Sequence, residues 1–385
     1  MTDSHGLVVV SLEPWDQVWR RNQYLVAGLL RTDPDLRILF VEPPSDMAYA
    51  ALRRSQPRRG RGLRPGPDLD GVEADRLWLY EPTKLAPRRV APGYDARRAR
   101  RIVHAAHRLG FDHPTLWIND LGGSALLRSG LPSLYDVTDD WLAADRPAPE
   151  RDRLARDERA LLDGCDVVTV CSPNLALTKG TGRSVQVITN GVDAARYAEP
   201  QSRPHDLPPG RIALYVGTLH ADRLDVELCV ATSDALDGDG TLVLVGPAAL
   251  EPDELHRLSE AGVVVLGARP APTVPAYLQH ADVLVVPHVV DAFTDSLDPI
   301  KLYEYLAVGR PVVSTAVAGF RDAPEDRVMV AAPDAFPGVV AETATARPRV
   351  PSTPPPADLP TWTSQTALMR DALAEARARR HPTPR

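Results

Sequence analysis

The 385-residue chain lacks most of the features that would place it in several large protein classes. It has three cysteines, Cys165, Cys171 and Cys229, with neither metal-type spacing nor a paired framework. That excludes a disulfide scaffold or a cysteine-built zinc module, and reduced, buried thiols are expected. No apolar run approaches the roughly 18 residues needed to cross a bilayer. Met1 to Gly6 lead straight into a short apolar run, without the charged, apolar and cleavage regions of a signal peptide. A cytoplasmic protein is expected, peripheral at the inner face of the membrane at most. There is no basic excess either. Residues 1–200 carry 28 Lys and Arg against 27 Asp and Glu, leaving 16 against 24 in residues 201–385, so nucleic acid is not an indicated partner. No Gly-x-Gly-x-x-Gly follows the first apolar run, which argues against a dinucleotide cofactor. No Asp-x-Asp pair stands at a strand end, so no metal site is predicted.

What is present is enough for two cores. The apolar share is 44%, and this length exceeds one ordinary domain. Short apolar runs such as Leu7–Leu12, Arg37–Glu42, Thr115–Asn119, Leu134–Val137 and Cys165–Cys171 read as buried parallel strands. Helical stretches alternate with them, from about Gln17 to Arg31, Asp95 to Leu109 and Pro149 to Gly164. Ile212–Val216, Leu242–Gly246, Val263–Gly267, Ala281–Pro287 and Val312–Val313 start a second series. The fold class is therefore α/β, with two doubly wound parallel sheets. The expected domains are 1–198, joined by a returning helix over 361–380, and 210–345. Pro-rich linkers at 199–209 and 346–360 separate them. Arg53 to Pro67, rich in Arg, Gly and Pro, reads as a flexible surface loop. That loop and the arginine-lined helix after Asp95 leave open a peripheral contact with an anionic membrane surface.

The most informative stretch runs from Asp295 to Thr315. Asp298 can act as N-cap with Pro299 at the first helical position. Ile300, Tyr303 and Leu306 share a helical face, and Gly309 ends the helix before Arg310-Pro311 and a buried strand. A helix N-terminus attracts phosphate; Lys301 adds a full charge, and Glu304 can accept hydrogen bonds from a sugar hydroxyl pair. Near residue 136 a different cluster appears. Asp136, Asp139 and Asp140 crowd three carboxylates at a strand end, where one can cap a helix and another can work as an acid or base.

Lys301-Leu-Tyr-Glu304-Tyr-Leu-Ala-Val-Gly309-Arg-Pro311-Val-Val resembles the nucleotide-sugar motif of GT-B glycosyltransferases, especially glycosyltransferase family 4. Asn190-Gly-Val-Asp193 resembles the signature closing the first domain of many such enzymes. Val41-Glu-Pro-Pro44 and Tyr135-Asp-Val-Thr-Asp-Asp-Trp141 resemble segments of a bacterial subgroup. The resemblance implies two Rossmann-like domains facing across a cleft, with the donor in the second and the acceptor in the first. It implies transfer of a sugar from a nucleotide sugar, a UDP-sugar foremost, to an acceptor hydroxyl or other nucleophile, with no cofactor. The acceptor stays open between a polysaccharide, a lipid-linked sugar and a small metabolite. Donor-binding residues by resemblance are Gly217 and Thr218 at a glycine turn, Arg223, Arg269 beside the base, Ser296, Leu297, Lys301 and Glu304. Two departures stand out. Ser296 replaces the first of two family glutamates, and only Arg223 remains of two cations usually found after the glycine turn. If the reaction inverts, Asp139, Asp140 and Asp16, in that order, are the catalytic acids to consider. The alternatives are a GT-B-like sugar-nucleotide 2-epimerase and an inactive nucleotide-sugar binder.

Overall fold

The computed structural model describes residues 6–52, 56–144, 146–292, 294–346 and 352–380. The chain forms two compact units, Met1–Thr189 with Thr363–Arg385, and Asn190–Trp362. The division falls at residue 190 rather than at the expected 198. The intervening segment is tied into the second unit. Asn190 donates from its backbone and its side-chain amide to Asp298, and Tyr197 is buried in that unit's core.

In the first unit the strands are β1 Gly6–Val10, β2 Arg37–Val41, β3 Gly62–Pro65, β4 Leu77–Glu81, β5 Thr115–Ile118, β6 Ser133–Val137, β7 Val167–Val170 and β8 Gln186–Val187. They form one sheet in the order β8-β7-β6-β5-β1-β2-β4-β3, parallel except where β3 runs against β4. Helices α1 Arg21–Thr32, α2 Met47–Leu52, α3 Tyr94–Arg108, α4 Ala148–Gly164 and α5 Pro173–Lys179 connect them. The helix Trp362–Arg380 brings the chain back. Its Thr366 lies against Gly28 of α1, where a Cβ would collide with the threonine hydroxyl. Each central strand is buried along its whole length, as a parallel sheet covered on both faces requires.

The stretch expected as a flexible loop behaves differently. Residues 53–55 lie outside the described set, but Gly62–Pro65 is a strand. Arg58 and Arg61 pair with Glu81, and Arg61 and Arg64 with Glu42, both carboxylates being buried. Arginines separated from these glutamates by about twenty residues are thus recruited as an edge strand, a contact that local composition does not encode. Residues 347–351 of the expected second linker, and the tail beyond Arg380, also lie outside the described residues.

The Asp136 carboxylate is a structural group. It is fully buried in β6 and gripped in a bidentate pair by Arg21 of α1, at 3.0 and 3.1 Å. The hydroxyl of Thr169 donates to it at 2.8 Å and the indole of Trp117 at 3.3 Å. Both oxygens are satisfied, which a buried charge requires.

The second unit repeats the plan with β9 Arg211–Val216, β10 Gly240–Val245, β11 Val264–Gly267, β12 Val283–Val286, β13 Val312–Ser314 and β14 Val328–Val330. The order is β11-β10-β9-β12-β13-β14, all parallel. Its helices are α6 Ala194–Ala198, α7 Val226–Leu236, α8 Pro252–Glu260, α9 Val274–Gln279, α10 Ile300–Val308 and α11 Phe336–Thr345. Strand alternation sorts the core into two layers. Ile212, Leu214 and Leu284 meet α9 and α10 on one face. Ala213, Tyr215 and Val285 meet α7 and α11 on the other.

Breaking the Arg21–Asp136 pair strands a buried carboxylate. Arg21→Met lowers the stability of the first unit by about 3–5 kcal/mol, measured as a lower urea midpoint by tryptophan fluorescence. Adding Asp136→Leu, which removes the orphaned charge, recovers a large part of that loss.

Candidate functional site

The second unit places most of the predicted donor residues at the carboxyl ends of β9, β10 and β12, the place where doubly wound sheets hold ligands. β9 finishes in Tyr215-Val216, and Gly217 follows with φ +153° while its amide donates to Val245 of β10. Gly246, at the tip of β10, also has φ near +152°, and a Cβ there would sit 1.9 Å from the Gly217 carbonyl. The two strand tips are therefore packed backbone to backbone, a geometry only glycine permits.

Lys301, in the first turn of α10, reaches back to this turn. A Cβ on Gly217 would come within 2.8 Å of its Nζ. The amine donates to the Tyr215 hydroxyl at 2.7 Å, lies 3.3 Å from His288 Nε2, and rests 4.0 Å from the Tyr215 ring centre. Tyr215 Oη and His288 Nε2 are 3.0 Å apart, closing a triangle. Tyr305, one turn on from Lys301, accepts a hydrogen bond from the Val216 amide at 2.9 Å and fixes α10 to the end of β9.

The electrostatics follow from burial. Desolvation pulls the Lys301 amine down to about 7, aided by the Arg223 charge and opposed by Glu304. His288 is held well below the imidazole range by burial, then by Lys301 and Arg223, so its ring is neutral. The Tyr215 phenol is pushed up by burial. Glu304 accepts from the Tyr197 hydroxyl, and burial raises its carboxyl against the opposing pull of Tyr197, Lys301 and Arg196.

Several predicted residues sit elsewhere or do other work. Asp298 is not the N-cap of α10. That position falls to Pro299, and the Asp298 carboxylate instead accepts from the Asn190 amide and the Tyr303 hydroxyl. Ser296 and Leu297 are buried. Thr218 follows Gly217, and its carbonyl faces the Tyr215 hydroxyl at 3.4 Å. Arg223 lies close enough for its charge to act on Lys301, His288 and Tyr215. Arg269 is bound to Asp206, to the Tyr277 hydroxyl and to the carbonyls of Leu266 and Ala268, so it organises the loop after β11. The Asn190-Gly-Val-Asp193 turn is structural as well. Gly191 lies against the backbone of Thr361 and Trp362, Val192 pairs with Thr361, and Asp193 caps α6.

The three acids of the first unit differ in partners. Asp16 accepts from the Val18 amide and from Arg20. The Thr138 hydroxyl donates to Asp139. Asp140 accepts from Lys179 and the Leu142 amide, and so caps a local turn rather than a helix. Lys179 is buried and also pairs with Glu158 at 3.0 Å. His288, Tyr215 and Lys179 escaped the sequence reading. The first two lie in or just after apolar strands, where no periodicity marks a polar role. Among the described residues no three His, Cys, Asp or Glu converge as metal ligands, and no helix is long and apolar enough to cross a membrane.

Residues 210–345 match the family model described as glycosyl transferases group 1. Over an alignment of 203 positions the chain is 28% identical to TuaH of Bacillus subtilis (strain 168), whose name describes a teichuronic acid biosynthesis glycosyltransferase. The match covers 47% of this chain and 50% of TuaH, so the chain spans about half the length of that relative. Among solved structures, HepE of Anabaena in complex with UDP and glucose superposes with a TM-score of 0.63 at 14% identity, over 96% of this chain and 99% of that one. The OtsA apo structure also gives 0.63 at 14% identity, over 98% and 97%. At that identity the likeness is one of fold, and the fold is GT-B, built from two Rossmann-like units.

The lysine has a stability signature. Its folded value lies below that of a free lysine, so the unfolded chain binds the extra proton between about pH 7 and 10. Stability therefore rises with pH through that window, and the penalty is largest near and below pH 7. Lys301→Met stabilises the second unit by about 1–4 kcal/mol near neutrality, and clearly less at about pH 9.5, measured by urea midpoints at the two pH values.

Proposed function

We propose, for a GT-B chain whose residues 210–345 form a group 1 glycosyl transferase domain, that it transfers a sugar from a nucleoside-diphosphate sugar to an acceptor nucleophile. The observation that carries the proposal is Lys301 seated at the Gly217 turn, on the same helix as Glu304. The expected second cation of the glycine turn is missing from the loop after β9, and Lys301 supplies a positive group at that place from α10. The turn amides, the start of α10, Lys301 and Arg223 together favour the charge that develops on a departing diphosphate. Glu304, held by Tyr197, is the ribose-binding group. A UDP-sugar is the donor best supported, since HepE binds UDP on the same fold. No cofactor and no metal enter the scheme, because the leaving group is stabilised by these fixed groups. In an inverting reaction Asp139 is the first choice of base. Asp140, which accepts from Lys179, and Asp16, which accepts from Arg20, follow in that order.

Incubation with a panel of nucleotide sugars tests the reading. Release of nucleoside diphosphate, unchanged by EDTA, supports it. Isomerisation of the donor would point to a 2-epimerase, and binding without turnover to an inactive binder. Lys301→Ala or Glu304→Ala is expected to lower kcat/KM about 10²–10³-fold. Full activity in both variants would remove the site assignment.

A peripheral contact with anionic lipid is supported on one edge of the first unit. No residue of α2 is buried, and Tyr49, Leu52, Leu85 and Val90 are 55%, 79%, 67% and 70% exposed. Residues 45–46 and 83–84 pair in parallel, so α2 and Leu85 emerge side by side. Arg59, Arg89, Arg97, Arg100 and Arg101 are exposed on the same segments and on α3. Apolar side chains beside arginines match the chemistry of an anionic bilayer surface. Co-sedimentation with vesicles of phosphatidylcholine and phosphatidylglycerol, but not of phosphatidylcholine alone, is expected. Salt and Leu52→Asp with Val90→Asp should weaken it, and equal binding to both vesicle types would refute the electrostatic part.

A further inference from the structure

The Lys301–Tyr215–His288 triangle has one hydrogen-bond pattern that its distances favour. Neutral His288 with its proton on Nδ1 offers a single lone pair at Nε2. In that tautomer the Tyr215 hydroxyl donates to the lone pair across 3.0 Å in preference to the Thr218 carbonyl at 3.4 Å, and its oxygen in turn accepts from the Lys301 amine at 2.7 Å. The third edge, amine to imidazole, is the longest at 3.3 Å. An ammonium in this seat would have three N–H groups to place and one well-aligned acceptor. The charges acting on the amine oppose one another. Arg223 adds positive potential from the loop after β9, and Asp225 and Cys229 lie beyond Tyr215 on the α7 side. Glu304 is the carboxylate acting on the amine, and its oxygen is committed to Tyr197 of α6. Among the described residues no carboxylate bonds to Lys301.

We propose that this triangle is a proton-coupled phosphate seat. Lys301 takes up a proton as a nucleoside diphosphate settles on the Gly217 turn. His288 is the positioning residue that orients Tyr215 and, through it, the amine. The inference rests on the donor-site reading given above and adds its regulation by pH. The incoming phosphate supplies the negative charge the empty seat lacks, so ammonium formation and ligand binding favour each other. The residue type fits this role. The chain holds three lysines among 44 cationic residues, and an arginine at 301 could not give up its proton.

The test is isothermal titration of the full chain with UDP in HEPES and in Tris, whose ionisation heats differ. ADP and GDP serve as further arms, and the nucleotides' own phosphate ionisation is subtracted. The expected uptake is close to one proton per nucleotide at about pH 8, falling to roughly a quarter at about pH 6.5. The dissociation constant rises close to tenfold per pH unit above neutrality. Lys301→Arg abolishes the uptake while retaining a cation. His288→Leu weakens UDP binding and shifts the pH at which uptake is half complete. His288→Gln, which keeps an acceptor, restores much of both. Binding of a nucleotide with no proton uptake at about pH 8 overturns the inference and leaves the donor reading standing, as does unchanged uptake in Lys301→Arg. An unchanged midpoint pH in a folded His288→Leu variant overturns the role of the histidine. Failure of all three nucleotides to bind overturns the donor reading, and the inference with it.

Discussion

A lysine amine held at a strand tip, with no carboxylate bonded to it among the described residues, is the constraint around which the second unit is arranged. Desolvating an amine is costly, and the chain offsets that cost with a phenol, an aromatic face and a neutral imidazole rather than with an opposite charge. The neighbouring requirements follow. Gly217 has no side chain because a Cβ would strike the amine, and Gly246 has none because a Cβ would strike Gly217. Tyr305 ties the helix that carries the lysine to the strand that carries the tyrosine. Asn190 and Tyr303 hold Asp298 just ahead of that helix. A site of this kind cannot be assembled piecemeal, since moving any one group opens the seat.

Lys301 is handled differently from the other buried amine and from the buried ion pairs of both units. In the first, Arg21 meets Asp136 in a bidentate pair, and Lys179 lies between Glu158 and Asp140. Both of these cations are matched by a carboxylate, which is one way charges are buried for structure. In the second, Arg211 meets the buried Asp282 in the same way, but the Lys301 amine bonds to a phenol and lies beside an imidazole, with no carboxylate bonded to it among the described residues, and His288 is forced neutral next to it. Uncompensated charge is expensive to keep unless a ligand completes it. The contrast locates the polar chemistry of the second unit more sharply than exposure or shape does.

The strands were legible because both faces of a parallel sheet are covered, leaving short unbroken apolar runs such as Leu7–Val10 and Val283–Val286. Helix α10 was legible from its spacing and its terminal Gly309, which adopts the left-handed conformation. What could not be read locally depends on long-range partners. Asp298 looks like an N-cap because it precedes Pro299, yet its carboxylate answers Asn190, 108 residues away. Arg58, Arg61 and Arg64 look like a solvated loop because Glu42 and Glu81 lie outside any local window. Asp136 looks like one of three competing acids until Arg21 appears beside it. His288 carries no signal of its own, since a histidine after an apolar strand is ordinarily a packed core residue. Only the arrival of Tyr215 and Lys301 from other elements gives it a role.

One compositional signal did point inward. Cations in this chain are overwhelmingly arginine, with lysine only at 84, 179 and 301. Lys84 pairs with Asp46, and Lys179 with Glu158 and Asp140, so two of the three stand where a compact single-point cation completes an ion pair. Arginine presents a rigid, permanently charged fork that suits surface ion pairs and loop carbonyls, as Arg269 shows. A flexible amine whose proton is negotiable suits a narrow space between a phenol and a backbone turn. At position 301 the choice of lysine is therefore a statement about the seat: it demands a cation slender enough to pass beneath Gly217 and able to exist there uncharged when nothing is bound.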